Sequence, residues 1–215
     1  MKKIAIILSG CGVFDGSEIH EATLAMLAVK QAGCTYEIYA PDKEQADVVN
    51  HYTGDAMPEK RNVLVESARI ARKNAKPLGE LNAANYDAIV LPGGFGAAKN
   101  LCNFAFEGEN YTVIPELEKV LLKANELNKP IGAMCIAPVI LAKVFKGSKV
   151  TVGQPCDASA AIEKTGSQHV NTTHAQTVTD EKYKLVTTPC YMLDADIAQI
   201  YQGATNLIKE LLKLM

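Results

Sequence analysis

No two cysteines in this chain are spaced C-x-x-C, and the six present, at positions 11, 34, 102, 135, 156 and 190, show no zinc-ligand pattern. A structural zinc or iron–sulfur site is therefore not expected. Neither is a disulfide-stapled scaffold, which is short and cysteine-dense. This cysteine usage suggests a reducing compartment and a cytoplasmic location. An excess of one charge is also lacking: 22 basic and 24 acidic residues leave a formal net charge of -2, which gives no reason to expect nucleic acid as a partner. Nor does any window approach the roughly 20 apolar residues of a membrane span. The stretch Ile4–Leu8 before Ser9-Gly10-Cys11 superficially resembles a lipoprotein signal. Its apolar run is five residues, shorter than the roughly 7 to 15 of a signal core, so it reads as a buried first strand. Internal repeats and low-complexity tracts are absent.

What is present is enough apolar character, 48% of 215 residues, to build one globular domain over residues 1–215. Short apolar runs alternate with amphipathic segments, which predicts an α/β domain with a mainly parallel sheet. Strands are expected at Lys3 to Ser9, Thr35 to Ala40, Ala88 to Pro92, Pro130 to Met134 and Lys149 to Val152, with shorter ones near Val170, at Ala175 to Val178 and at Lys184 to Thr187. Helical stripes run through Ile19, Ala22, Met26 and Val29, through Leu117, Val120, Leu121, Ala124 and Leu127, and from Ile197 to Met215. Residues 47–77 differ in texture, joining a polar loop to a helix with basic residues on one side. They read as an excursion from the sheet, either a lid or subunit contact or simply a solvated helix.

Open α/β sheets place ligands at the carboxyl ends of their strands, and three of the expected loops there carry suggestive residues. Cys135 lies at a strand-to-helix elbow flanked by Ala133 and Ala137, with Pro138 in the first helical turn, where its missing N–H is harmless. The positive end of the following helix would favour thiolate there, although a buried structural cysteine fits the same segment. Pro92-Gly93-Gly94-Phe95-Gly96 could bring backbone N–H groups to a reacting oxygen, or be a plain turn. It lacks the spacing of a nucleotide P-loop. Glu18 is the candidate acid/base, against the alternative that Asp15 and Glu18 are the N-cap and N3 residues of the first helix. Cys11 either packs or lines the pocket.

Gly16-Ser17-Glu18, Pro92-Gly93-Gly94 and Met134-Cys135-Ile136-Ala137-Pro138 together resemble the ThiJ/PfpI superfamily, whose fold is that of class I glutamine amidotransferases. Within it, the stretches from Ile7 to Glu21, from Gly93 to Asn100 and from Thr187 to Met192 look like the ElbB-like glyoxalases, also called isoprenoid biosynthesis or enhancing lycopene biosynthesis proteins. The resemblance implies a flavodoxin-like three-layer α/β/α sandwich with a nucleophile elbow. It also implies a cofactor-independent, glutathione-independent glyoxalase of the lyase class, without metal, converting glyoxal or methylglyoxal to a hydroxy acid such as glycolate. Cys135 matches the family nucleophile, Glu18 its carboxylate partner, and the N–H groups of Gly94 and Ile136 its oxyanion site. Gly93, Cys11, Asn100 and His20 are candidate pocket residues, the partner is a small dicarbonyl, and a homodimer is expected. No histidine occupies either family position near Cys135, which argues against a Cys-His-Asp/Glu triad and amidotransferase chemistry. The alternative is a redox or reactive-carbonyl sensor, or a regulatory binding protein linked to isoprenoid synthesis, in which the same cysteine is modified without turnover.

Overall fold

A strand covered on both faces needs apolar or small side chains at every position, and Ala88–Leu91, Ile131–Met134 and Leu185–Thr188 meet that condition with every residue buried. The computed structural model describes residues 1–215. Its elements are β1 (Lys3–Ile7), α1 (Ile19–Gln31), β2 (Thr35–Ala40), α2 (Val63–Ile70), β3 (Ala75–Pro77), β4 (Ala88–Leu91), α3 (Phe104–Glu107), α4 (Pro115–Glu126), β5 (Ile131–Met134), α5 (Pro138–Val144), β6 (Lys149–Val150), α6 (Asp157–Lys164), β7 (Gln168–His169), β8 (Val178–Asp180), β9 (Leu185–Thr188) and α7 (Ile197–Leu214). Seven strands form one sheet in the order β3-β2-β1-β4-β5-β9-β8. All its pairings are parallel except that of β8 with β9.

The period-2 pleat of β1 divides the interior into two cores. Ala5 and Ile7 face a cluster that includes Leu117 and Leu121 of α4 and Val139–Ala142 of α5. Ile4 and Ile6 face the opposite cluster, with Ala22, Ala25 and Val29 of α1 and Ile200, Ala204, Leu207, Ile208 and Leu211 of α7. Helices therefore cover both faces, giving the expected flavodoxin-like α/β/α sandwich.

Several boundaries differ from the sequence expectation. The excursion 47–77 contains β3, which adds to the sheet beside β2. Three residues with a proline at the end are too short to show period-2 alternation, so only the neighbouring strand defines them. Lys149–Val152 does not join the main sheet. Two of its residues form β6 and pair with β7 in a separate parallel ribbon.

The excursion also clasps the loop between β1 and α1. The Val49 N–H donates to Asp15 Oδ2 at 2.8 Å, the Gly10 N–H to Ser67 Oγ at 2.9 Å, and the Phe14 N–H to His51 Nε2 at 3.2 Å. Asn100 completes the clasp from beneath: its Nδ2 donates to the Ser9 and Asp15 carbonyls, each at 2.9 Å, and its Oδ1 accepts the Ala46 N–H at 2.9 Å. Truncating it strands up to three backbone groups, each worth roughly 1–3 kcal/mol when buried and unpaired. Asn100→Ala is expected to lower unfolding free energy by about 2–4 kcal/mol in urea denaturation. A change below about 1 kcal/mol would mean the loop holds without this side chain.

Candidate active site

The carboxyl ends of β1, β4, β5 and β9 lie side by side, so the loops that leave them converge. The loop after β4 is laid onto the loop after β1: the Glu18 N–H donates to the Gly93 carbonyl at 3.0 Å, the Phe95 N–H to the Val13 carbonyl at 2.7 Å, and the Gly96 N–H to the Gly16 carbonyl at 2.8 Å. That contact demands glycine. Gly94 has φ +94°, and a Cβ on it would sit 2.3 Å from the Glu18 nitrogen.

Cys135 follows β5 in a left-handed backbone conformation, φ 59°, which a non-glycine residue rarely adopts. Its own N–H donates to the Thr188 carbonyl at 3.0 Å, anchoring the elbow to the end of β9. The side chain is 7% exposed. The N–H groups of Gly94 and Ile136 approach its sulfur, and neither is spent on a backbone carbonyl. They are the groups that the family resemblance assigns to the oxyanion site.

The carboxylate partner is a correction. Glu18 is the N-cap of α1, its Oε2 accepting the Glu21 N–H at 2.7 Å. Glu21, one helical turn further on, hydrogen-bonds Cys135. Its Oε2 also accepts the Gly93 N–H at 2.9 Å, and its Oε1 accepts the Tyr191 N–H at 3.2 Å. Gly93 is hemmed in by this pair: a Cβ there would lie 2.4 Å from the Cys135 Cβ and 2.7 Å from Glu21 Oε2.

Charge in this pocket is expensive. Complete burial, then the charge of Glu18, raise the Glu21 carboxyl to about 8, against the pull of the two N–H donors and the cysteine. Burial and the neighbouring Glu21 push the Cys135 thiol well above its ordinary value, and the N–H groups of Gly94 and Ile136 oppose them. Burial thus works against the free thiolate that the helix end was expected to favour, and the two N–H groups work for it.

The remaining candidates separate. Gly93 belongs to the site. Asn100 does not: its amide is consumed by the loop clasp. Cys11 has Glu66, Arg69, Asp15 and Arg61 as its charged neighbours, and is turned toward α2. His20 is exposed at the rim, with its Nδ1 2.8 Å from the Tyr191 hydroxyl. Besides Glu21, the sequence reading missed Tyr191 and Cys190, in the 3-10 turn after β9. Cys190 is buried, with the Cys135 N–H approaching its sulfur.

A buried cysteine on a left-handed elbow, two unspent amides and an adjoining carboxyl define a cysteine-dependent α/β protein. The chain belongs to the DJ-1/PfpI family, whose pattern matches residues 2–192. It is 42% identical to the rat protein named "ES1 protein homolog, mitochondrial", over 99% of this chain and 84% of the relative. Among solved structures, it is similar to an isoprenoid biosynthesis protein with an amidotransferase-like domain from Ehrlichia chaffeensis, with 34% identity, coverage of 99% of this chain and 100% of that one, and a TM-score of 0.92. Glyoxalase III from Candida albicans shares the fold at 16% identity, with coverage of 100% and 97% and a TM-score of 0.64. The mitochondrial designation of the rat relative overturns the expected cytoplasmic location. Cysteine usage separates reducing from oxidising surroundings and cannot tell one reducing compartment from another.

The raised Glu21 carboxyl has a signed consequence. In the unfolded chain it loses its proton near pH ~4.3, whereas in the fold it keeps it to about 8. The native state thus binds the extra proton, and its stabilising contribution, complete below the unfolded value, is lost as pH rises through the folded one. Glu21→Gln has no such proton to lose, so its thermal midpoint should gain on wild type between about pH 5 and about pH 9. Parallel curves would contradict the buried, proton-holding carboxyl.

Proposed function

We propose that the protein is an ElbB-like, cofactor-independent glyoxalase that converts glyoxal, and by the same chemistry methylglyoxal, to the corresponding hydroxy acid. The observation that carries the reading is Glu21, fully buried, hydrogen-bonded to Cys135 and still protonated near neutral pH. The fold-level likeness to glyoxalase III is consistent with it, as is the isoprenoid biosynthesis name of the Ehrlichia chaffeensis protein with the finer family assignment.

In this reading Cys135 and Glu21 hold one proton between them: the Cys135 sulfur adds to one carbonyl carbon of the dicarbonyl while that proton passes from Glu21 to the carbonyl oxygen, giving a hemithioacetal and leaving Glu21 as the carboxylate. The N–H groups of Gly94 and Ile136 hold that oxygen as charge develops on it. Glu21, as carboxylate, removes the hydrogen from the carbon bearing sulfur and delivers it to the adjacent carbon through an enediol, which leaves a thioester. Water cleaves the thioester, releasing glycolate and returning one proton to the Cys135–Glu21 pair. Glu18 takes no proton here. It caps α1 and, by its charge, keeps Glu21 protonated.

Proton NMR of the protein with excess glyoxal tests the assignment. Wild type should form glycolate over many equivalents, and Cys135→Ala and Glu21→Gln should each lose at least about 100-fold, the scale of lost covalent or acid–base catalysis. Glu18→Gln should stay within about tenfold of wild type, since it loses one cap and one neighbouring charge. No turnover by wild type would reject the glyoxalase reading, and loss confined to Glu18→Gln would return the acid/base role to Glu18.

A further inference from the structure

Cys190 is a buried nucleophile that the chemistry above does not use, and it sits where an oxidised Cys135 would need a partner. The two residues leave the ends of neighbouring parallel strands. Met134 is paired with Thr188, the Cys135 N–H donates to the Thr188 carbonyl at 3.0 Å, and Cys190 follows two residues later, at the start of the 3-10 turn Cys190–Met192. Extending that register sets Cys135 level with Pro189, one residue from Cys190, on strands roughly 4.8 Å apart, and a disulfide needs a Cα separation of roughly 4.4–6.8 Å. Both cysteines hold left-handed backbone, φ 59° and φ 43°, and both lie in the same buried cluster. The Cys135 N–H approaches the Cys190 sulfur, so that sulfur already stands beside the backbone of its neighbour. The other four cysteines do not share this position. Cys34 precedes β2 at the opposite end of the sheet, Cys102 lies in the other core, Cys156 is exposed at the start of α6, and Cys11 faces the charges of α2.

We propose that Cys190 is a resolving thiol, and that the protein reduces hydroperoxides through a Cys135–Cys190 disulfide. The Cys135 sulfur attacks one peroxide oxygen and the O–O bond breaks. Cys135 becomes a sulfenic acid, oxidised by two electrons, and the peroxide leaves as water or an alcohol. The Cys190 sulfur then attacks the sulfenic sulfur, the S–O bond breaks, and the hydroxyl leaves as water with the Cys190 proton. Glu21 is placed to pass that proton, since it lies beside the Cys135 sulfur and its charge is felt at Cys190. A small dithiol returns both thiols by thiol–disulfide exchange, being oxidised to its own disulfide. None of these steps depends on dicarbonyl turnover.

Intact-mass measurement and peptide mapping after a molar excess of hydrogen peroxide decide the matter. Wild type should lose two hydrogens, yield a linked Cys135–Cys190 peptide and recover fully in dithiothreitol. Cys190→Ala should instead gain oxygen at Cys135 beyond recovery, at least about tenfold faster than wild type, because no thiol intercepts the sulfenic acid. The wild-type map needs no variant to fold. If wild-type Cys135 accumulates two added oxygens without a linked peptide, or links to a cysteine other than Cys190, the proposal is overturned.

Discussion

One carboxyl group ties the functional end of this molecule together. Glu21 enters from α1, accepts an N–H from the loop after β4 and another from the turn after β9, and hydrogen-bonds the cysteine that ends β5. A fully buried carboxyl without partners would cost several kcal/mol. With them it becomes the common ligand of three loops that the sheet brings together. The demand propagates outward. Gly93 must lack a Cβ because that volume is taken by Cys135 and Glu21, and Gly94 must lack one because the two glycine-bearing loops touch through their backbones. Cys135 must accept a left-handed backbone so that its sulfur meets the carboxyl at the elbow.

Much of this was legible in the sequence because it depends on local composition. The buried strands are short apolar runs and the elbow is a cysteine between alanines with proline just inside the next helix, whereas the two amides of Gly94 and Ile136 came from the family resemblance. The error over Glu18 has a specific physical origin. Asp15 and Glu18 satisfy the spacing of an N-cap and N3 pair, and so do Glu18 and Glu21. The second pair is the one formed, so α1 begins one turn later and the inward carboxyl is Glu21. A signal was available in the residues below it. The buried face of α1 consists of Glu21, Ala22, Ala25, Ala28 and Val29, whereas Ile19, which anchored the apolar stripe, is 44% exposed. Small residues mark the face where α1 and α7 share one layer over the sheet, and a stripe through Ile19, Ala22, Met26 and Val29 overlaps that face only at Ala22 and Val29.

Other features could not be read locally at all. Asn100 belongs to a stretch that resembles a family signature, and only the folded chain shows that its amide is spent on Ser9, Asp15 and Ala46 rather than on a pocket. Cys190 is 55 residues from Cys135 along the chain (190 − 135). Strand order alone brings β9 beside β5, and sequence patterning fixes strand existence far better than strand order.

The electrostatics of the pair also constrain which molecules could react there. Burial and neighbouring negative charge raise both the carboxyl and the thiol, so the site resists holding two negative charges at once. In so dry a site, a charged substrate would have to shed its water without a counter-ion, at a cost of several kcal/mol. A small neutral electrophile loses far less, and its oxygen can accept the two unspent N–H groups as the sulfur attacks. As the new bond forms, the one proton held by Cys135 and Glu21 can pass to that oxygen. Glyoxal and hydrogen peroxide share these properties: both are small, uncharged and electrophilic. One dry site can therefore accommodate both proposed reactions, and what separates them is the step after attack, a proton shuttled by Glu21 in one case and a second sulfur from Cys190 in the other.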